Sequence, residues 1–274
     1  AVQLVACRNG EDEAGFVTME LSSLRRGGLR LREAAILYRT HAQSRALEEA
    51  LIEANIPYRI IGGVRFYERR EIKDLLAYLR LINNPADRWS FERACNVPPR
   101  GIGTQTAAQG SRHPKIERFL KEIKELRRYQ GEPVDRLLRR VIAVINFQSY
   151  LLDGSLEGEA RWENVQELVS RAKSAVDLNG FLEKVALIQD VDNFNPEAEA
   201  LTLMTLHNAK GLEFTSVFIT GCEEGIFPHS RSFFEATALE EERRLCYVGM
   251  TRAKRQLYLT YAAERVLFGK RQWQ

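Results

Sequence analysis

The chain contains 274 residues, of which 45% are hydrophobic and 28% are charged, and its formal net charge is +3. These values are ordinary for a globular protein of one or two domains, and so weak a positive charge does not by itself indicate nucleic-acid binding. No apolar run approaches the roughly 20 residues of a membrane span, and no signal peptide opens the sequence. We therefore expect a cytoplasmic protein with no membrane partner.

Predicted strands and helices alternate along the first third of the chain. Alternating apolar residues predict strands at 1–7, 34–38 and 58–61, and apolar residues at helical spacing predict helices at 11–24, 44–55 and 71–82. Strands that alternate with helices indicate a mostly parallel sheet with right-handed crossovers. This part of the sequence therefore predicts an α/β fold.

Helical periodicity replaces strand alternation in the middle of the chain. The predicted helices there are 115–129, 134–152, 162–176 and 179–189. Strand patterns return at Leu201. The simplest arrangement is a discontinuous α/β domain, formed by 1–90 and 198–274, with an all-helical domain inserted at 91–197.

The segment that follows Leu201 carries most of the functional information. Its alternating apolar run ends in a small-residue loop at 206–213, which suits a strand whose loop meets a ligand. A second strand is predicted at 217–220. Thr237 and Glu240 have capping-box spacing, which predicts the start of a helix that ends near Arg252. A final strand is predicted at 256–261.

Two kinds of site are missing from the sequence. The cysteines at positions 7, 95, 222 and 246 lack the spacing of metal ligands, so we expect buried thiols and no metal site. The sequence has no G-x-x-x-x-G-K-[ST] motif and no predicted strand that ends in paired acidic residues suited to Mg²⁺. We therefore expect that this chain alone does not hydrolyse ATP.

Two blocks of the sequence resemble helicase motifs. TLHNAKGLEF at 205–214 resembles motif V, and EEERRLCYVGMTRA at 240–253 resembles motif VI, of superfamily 1 DNA helicases of the UvrD/PcrA/Rep type. The stretch that begins ILYRTHAQSR at 36–45 resembles the same motor domain. The resemblance implies a RecA-like motor domain 2A, formed by 1–90 and 198–274, with an inserted helical accessory domain 2B.

The resemblance also implies what the complete protein does. It implies an ATP-dependent helicase that translocates 3′ to 5′ on single-stranded DNA and unwinds duplex DNA. ATP with Mg²⁺ is then bound mainly by an N-terminal motor domain outside this sequence. The implied partners are single-stranded and duplex DNA, the N-terminal motor domains of the same protein, and DNA-repair proteins. We expect the chain to be the C-terminal part of such a helicase, to stop short of where relatives end, and to be inactive alone. Near 107–114 we expect either a shortened insertion or omitted residues.

Arg252 is the leading candidate for catalysis. The resemblance places it in the role of an arginine finger, which meets the γ-phosphate when the motor domains close. The alternative is that Arg252 only caps the carbonyl groups at the end of its helix. Glu213 matches a glutamate that contacts the nucleotide sugar, although a solvated loop carboxylate is the alternative. Lys210 is either a phosphate contact or a surface lysine, and the sequence does not separate the two.

A second group of residues is implied to contact single-stranded DNA. They are Arg39, Thr205, His207, His229 and Phe268, where Phe268 matches an aromatic residue on which a base stacks. His41 stands where relatives commonly have asparagine, which makes its DNA contact less secure. The alternatives are ordinary ones: a histidine after an apolar run is more often a hydrogen-bonded core residue, and a phenylalanine is often part of the packing.

The inserted part offers a candidate contact with duplex DNA. Gly101 and Gly103 form a G-x-G turn after Arg100, and such a turn lets backbone N–H groups approach a phosphate closely. In relatives this loop binds duplex DNA. The following residues, 112–140, hold ten Lys or Arg against five acids. This basic surface either contacts phosphates or is simply solvated.

Two other functions stay open at this point. One is a non-enzymatic DNA-binding or interaction module. The other is part of a helicase–nuclease of the AddA/RecB kind, which shares motifs V and VI. The sequence ends without an acidic cluster typical of a nuclease, which counts against the second.

Overall fold

The computed structural model describes residues 1–103, 113–191, 199–267 and 270–273. The chain divides into two compact units, one formed by Ala1–Phe66 with Val191–Gln274 and the other by Tyr67–Asp190. The sequence placed the helix near 71–82 in the α/β part, whereas its contacts place it in the second unit. The expectation about residues 107–114 falls largely on 104–112, outside the described residues.

The element bounds are as follows. The strands are β1 (Val2–Cys7), β2 (Ala34–Tyr38), β3 (Tyr58–Ile61), β4 (Leu201–Thr205), β5 (Phe214–Ile219), β6 (Ala253–Ala262), β7 (Glu264–Leu267) and β8 (Lys270–Trp273). The α-helices are α1 (Gly10–Arg26), α2 (Ser44–Glu53), α3 (Arg70–Asn83), α4 (Arg88–Ala94), α5 (Pro114–Arg127), α6 (Val134–Val144), α7 (Phe147–Leu151), α8 (Leu156–Ala172), α9 (Leu178–Val191) and α10 (Ala236–Met250). Short 3₁₀ helices include His41–Gln43, Leu206–Ala209 and Ser230–Phe234.

The first unit is built on a six-stranded sheet in the order β1-β6-β5-β2-β4-β3, and every pairing in it is parallel. At its centre, Leu37 of β2 lies opposite Met204 of β4 and Ile219 of β5. The predicted α/β fold with a parallel sheet is therefore confirmed. β7 and β8 pair separately as an antiparallel ribbon.

Helices cover both faces of this sheet, which explains why its central strands are apolar throughout. On β2, Ile36 and Tyr38 join the core that contains Val17 of α1 and Leu51 of α2. Leu37, between them, joins the opposite core, which contains Leu245 of α10. Successive residues of a strand point to opposite faces, so a strand covered on both sides needs a continuous apolar run.

The parallel arrangement gives the sheet two distinct edges. At the carboxyl edge the strands end, and Arg39, His207 and Thr220 follow β2, β4 and β5 there. At the amino edge the strands begin, and Glu213 and Arg252 immediately precede β5 and β6. The carbonyl of Arg252 accepts the N–H of Phe214 at 2.9 Å, which ties these two starts together.

The second unit is helical. α3 lies at its centre with Leu75, Leu76 and Leu79 fully buried, and it contacts α4, α5, α6 and α8. The predicted helix 134–152 is two helices, because Asn146 adopts φ 57° between α6 and α7. The sequence also missed α4 and the first residues of α8.

The start of α10 differs from the prediction. The helix begins at Ala236, and Glu235 occupies the N-cap position without a capping side-chain bond. Thr237 therefore lies inside the helix, so the predicted capping box with Glu240 is wrong. The predicted end is confirmed, since the helix stops at Met250 with Thr251 as its C-cap. Within the described residues, no helix is long and apolar enough to cross a membrane.

Candidate functional site

Arg252 is half-buried at the amino edge, and each of its three guanidine nitrogens donates one hydrogen bond. Nε donates to the carbonyl of Val248 at 2.9 Å, Nη1 to the carbonyl of Leu212 at 3.0 Å, and Nη2 to Oγ1 of Thr251 at 3.0 Å. The capping interaction considered from the sequence is therefore present. All three acceptors are neutral, however, and no carboxylate among the described residues pairs with this guanidinium. The contacts orient the cation without compensating its charge.

Glu213 and Lys210 lie in the same short segment, between β4 and β5. A carboxylate oxygen of Glu213 lies 3.2 Å from Nζ of Lys254, and more than half of each side chain is exposed. Lys210 is also exposed. Since Leu212 binds the Arg252 guanidinium through its carbonyl, the structure brings Arg252 and Glu213 to one place at the amino edge.

Arg39 lies at the other edge, where a side chain from α10 holds it. Its Nε donates to both carboxylate oxygens of Glu242 at 3.0 and 3.1 Å, and its Nη2 donates to one of them at 2.7 Å. The backbone N–H groups of Arg39 and Thr40 both donate to Oε1 of Gln43, and Nε2 of Gln43 donates to the carbonyl of Thr220. The end of β2 is thus fixed to both α10 and the end of β5.

His207 is exposed in the 3₁₀ helix that follows β4. Partial burial of its ring lowers its pKa below 6.5, the nearby Arg39 cation lowers it further, and the Glu242 and Glu241 carboxylates oppose the shift. Arg39 and His207 follow the neighbouring strands β2 and β4 at the carboxyl edge, and Glu242 pairs with Arg39 there.

The other three predicted contacts at this edge are less accessible. The ring of His41 lies edge-on to Tyr38, with 6.1 Å between the ring centroids. Thr205 is buried at the end of β4, and only 7% of it is exposed. His229 is 8% exposed, and its Nδ1 accepts the N–H of Arg231. The sequence pattern did not indicate the burial of Thr205 and His229.

Phe268, the predicted stacking residue, lies outside the described residues. The strand before it is anchored in the carboxyl edge by Arg265, whose Nη2 lies 2.6 Å from Glu13 and whose Nε lies 2.5 Å from Glu223. Glu13 also accepts the N–H of Gly221 at 2.9 Å. This buried network joins α1, the end of β5 and β7.

In the helical unit, Arg100 faces inward. Its Nη2 donates to Glu122, and its guanidinium lies 5.3 Å from the centre of the Phe119 ring. These internal partners oppose a direct phosphate contact by Arg100. Gly101 has φ +66°, and its carbonyl accepts Nζ of the exposed Lys115 at 3.2 Å. The cation at this turn is therefore Lys115, while Gly103 is exposed beside it.

The sequence patterns did not single out Glu242, which pairs with Arg39 at the carboxyl edge. It appeared only within the block that resembles motif VI. A signal was present, because Glu242, Leu245 and Gly249 fall on one face of α10, and that face is buried. A carboxylate on a buried face needs a partner.

Within the described ranges, no group of three or more His, Cys, Asp or Glu side chains is arranged to hold a metal ion.

Comparison with known proteins gave consistent matches. The model of the UvrD-like helicase C-terminal domain family matches residues 1–112 and 111–264. The chain is 41% identical to the ATP-dependent DNA helicase PcrA of Bacillus subtilis over 304 positions, covering 95% of this chain and 41% of that protein. It is 41% identical to DNA helicase II of Escherichia coli over 306 positions, covering 98% and 42%. It is 40% identical to the ATP-dependent DNA helicase UvrD1 of Mycobacterium tuberculosis, covering 96% and 41%.

These alignments cover only part of each relative. The chain spans about two fifths of the length of these relatives. The alignment with the Bacillus protein occupies 304 positions, more than the 274 residues of the chain, so that relative carries residues that this sequence lacks.

Proposed function

The chain belongs to the UvrD-like helicase C-terminal domain family, and from that premise we propose that it is the second motor domain, with its accessory domain, of an ATP-dependent DNA helicase. The α/β unit is motor domain 2A, and the helical unit is accessory domain 2B. The complete protein translocates 3′ to 5′ on single-stranded DNA and unwinds duplex DNA in the cytoplasm. This chain supplies an arginine finger and DNA contacts, and it does not turn over ATP alone.

The observation that carries this proposal is the uncompensated charge of Arg252. This half-buried guanidinium is held only by two carbonyl groups and a hydroxyl, so none of the residues described neutralises its charge. A second N–H on Nη1 and another on Nη2 have no partner among the residues described. Such an arrangement suits the charge that spreads over the phosphoryl oxygens during transfer.

Neighbouring groups at the amino edge fit the same ligand. Mg²⁺-bound ATP, held mainly by the first motor domain, supplies the phosphoanhydride bond that is broken. Glu213 accepts a hydrogen bond from a ribose hydroxyl, and Lys210 and Lys254 add positive charge near the phosphates. Since these side chains are exposed, they reach a ligand that arrives with another domain.

The carboxyl edge binds single-stranded DNA in this proposal. Arg39 and His207 contact the backbone, and Phe268 stacks on a base. His41, Thr205 and His229 support the DNA-binding surface by packing below it, because each makes mainly internal contacts. In the accessory domain, the turn at Gly101 and Gly103 with Lys115 contacts duplex DNA. DNA-repair proteins remain further proposed partners.

The test is ATP turnover by the complete protein, with the first motor domain present and with single-stranded DNA in excess. We expect Arg252→Ala to lower DNA-stimulated turnover by about 10³- to 10⁵-fold, the range typical of arginine fingers. The affinity for ATP should change little, because the finger acts mainly on the charge of the transition state. Arg255→Ala is the matched control, since Arg255 is an exposed cation close to the same edge.

Turnover by the Arg252→Ala variant within about threefold of the parent would remove the arginine-finger role. If the complete protein bound single-stranded DNA but showed no DNA-stimulated turnover at all, the chain would instead belong to a non-enzymatic binding module.

A further inference from the structure

Glu242 occupies an unusual position for a carboxylate in this fold. It lies on the buried face of α10, and only 8% of its side chain is exposed. Its neighbours Glu240 and Glu241 are about half or more exposed and pair with Arg243 and Arg244 on the helix surface. Burying a carboxylate is costly unless it is paired and hydrogen-bonded, so the position calls for specific partners.

Those partners come from two of the elements proposed to contact DNA. Both carboxylate oxygens accept Nε of Arg39, and one also accepts Nη2. The other oxygen accepts the backbone N–H of His229 at 3.1 Å. One side chain of α10 therefore holds the end of β2 and the turn that leads into the 3₁₀ helix Ser230–Phe234.

The ion pair leaves one nitrogen of Arg39 available. Nε and Nη2 are engaged by Glu242, whereas Nη1 has no partner among the described residues, and 22% of the side chain is exposed. A guanidinium whose Nε and Nη2 both donate to one carboxylate is held in a fixed plane. The Nη1 donors of Arg39 are therefore oriented before a phosphate oxygen arrives.

The same helix leads to the nucleotide-facing residue. At a rise of about 1.5 Å per residue, Glu242 lies about 12 Å along the helix from Met250, the last helical residue, and Arg252 follows two residues later. Buried Leu245 and Gly249 pack the intervening turns against the sheet. A displacement at Glu242 is thus carried by a continuous, packed helix toward Arg252.

We propose that Glu242 is a positioning residue that couples single-stranded DNA to ATP turnover, by joining the phosphate-binding Arg39 to the helix that leads to Arg252. The proposal rests on the function proposed above and adds a residue that the DNA does not need to touch. When a bound DNA strand displaces Arg39, the ion pair with Glu242 transmits that displacement to α10.

The test uses Glu242→Gln in the complete protein. Glutamine keeps the shape and one acceptor oxygen, but it removes the negative charge and places an amide donor where Arg39 or the N–H of His229 needs an acceptor. Turnover at saturating single-stranded DNA should fall by about tenfold, a loss typical of broken coupling between two sites. The dissociation constant for single-stranded DNA should change little, because the removal of a negative charge beside the phosphate offsets the lost orientation of Arg39.

Glu241→Gln is the matched control. Glu241 is the adjacent carboxylate, it is 67% exposed, and it pairs with Arg244 rather than with a DNA-binding residue. This variant should keep both DNA affinity and stimulated turnover. Full stimulation of turnover in Glu242→Gln would overturn the coupling role. So would a parallel loss of DNA affinity and turnover, because that pattern indicates a binding or folding defect.

A double-mutant cycle with Arg39 tests the same link from the other partner of the ion pair. Arg39→Lys keeps the positive charge but lacks the guanidinium fork. We expect stimulated turnover of this variant to fall, and adding Glu242→Gln should cause little further loss, because both changes break one link. Fully additive losses would overturn the inference. If Arg39→Ala bound single-stranded DNA as the parent does, the proposed DNA edge itself would be wrong.

Discussion

The two edges of the sheet hold their arginines in different ways. At the carboxyl edge, Arg39 and Arg265 are 22% and 12% exposed, and each is gripped by buried carboxylates. At the amino edge, Arg252 is held by neutral acceptors, and the nearby pair of Glu213 and Lys254 is more than half exposed. The difference teaches that the chain completes the charge balance of the carboxyl edge by itself, whereas at the amino edge no carboxylate among the described residues compensates Arg252.

This contrast has a physical basis in what each edge is proposed to do. A surface that follows a DNA backbone benefits from side chains that are fixed beforehand, because immobilising them on binding costs free energy. A nucleotide site shared between two domains needs a cation that gains its counter-charge only on closure. Internal ion pairs suit the first task, and an oriented but unpaired arginine suits the second.

The largest effect on the carboxyl edge should come from Arg265→Met. The change leaves the carboxylates of Glu13 and Glu223, which are 4% and 1% exposed, buried without their cation. We expect the free energy of unfolding to fall by about 3–5 kcal/mol, as for other broken buried pairs. Chemical denaturation followed by circular dichroism measures it.

The matched control for this variant is Arg8→Met. Arg8 forms an ion pair with Asp12 in which the arginine side chain is 86% exposed. Exposed pairs contribute little, so we expect a much smaller change in the free energy of unfolding than for Arg265→Met. Equal losses in the two variants would show that burial of the Arg265 network does not set the rigidity of the carboxyl edge.

A smaller effect is expected where α10 meets the sheet near its end. A Cβ on Gly249 would lie 3.0 Å from Cδ1 of Ile219 and closer still to the side chain of Leu206, and both residues are fully buried. Overpacking costs about 1–3 kcal/mol, and the better helix propensity of alanine returns about 1 kcal/mol. Gly249→Ala should therefore lower stability by about 1 kcal/mol and displace the end of the helix that carries Arg252.

Gly15→Ala offers the opposite case. Gly15 lies in α1 with nothing within 4 Å of an added Cβ, so this variant should be more stable by about 0.5–1 kcal/mol. Thermal unfolding of both variants measures the contrast, and turnover of Gly249→Ala in the complete protein reports on the position of Arg252. A stabilised Gly249→Ala variant would mean that α10 has room to move away from the sheet.

The sequence predicted the scaffold of both edges better than their chemistry. The predicted bounds of β2 and β3 match the structure. Each is a short apolar run followed by turn residues, and such a pattern defines where a strand begins and ends. The motifs located Arg252 and Glu213 near each other. Nothing local could show that Arg39 pairs with Glu242, since the two residues are 203 positions apart. The capping box failed because Glu235 took the N-cap position ahead of Thr237.

The ribbon of β7 and β8 was missed for a related reason. Its sequence, ERVLFGKRQW, places charged residues where a half-buried strand would need apolar ones, so periodicity gives little signal. Arg265 is nonetheless buried, because Glu13 and Glu223 from distant parts of the chain compensate its charge. Strands that depend on such pairing are recognised only when the tertiary partners are known.

The smallest effect should be a shift in the pKa of His207, and it reports directly on the ion pair at the carboxyl edge. Burial lowers this pKa first, the Arg39 cation lowers it next, and Glu242 opposes the shift. Arg39→Ala should therefore raise the pKa, whereas Glu242→Gln should lower it, and burial should keep both values below that of a free histidine. Titration of the ring protons by NMR, assigned with His207→Asn, measures the two shifts. Shifts in the same direction would mean that the two halves of the pair do not act on His207 as opposite charges, and that the carboxyl edge is rearranged when either one is removed.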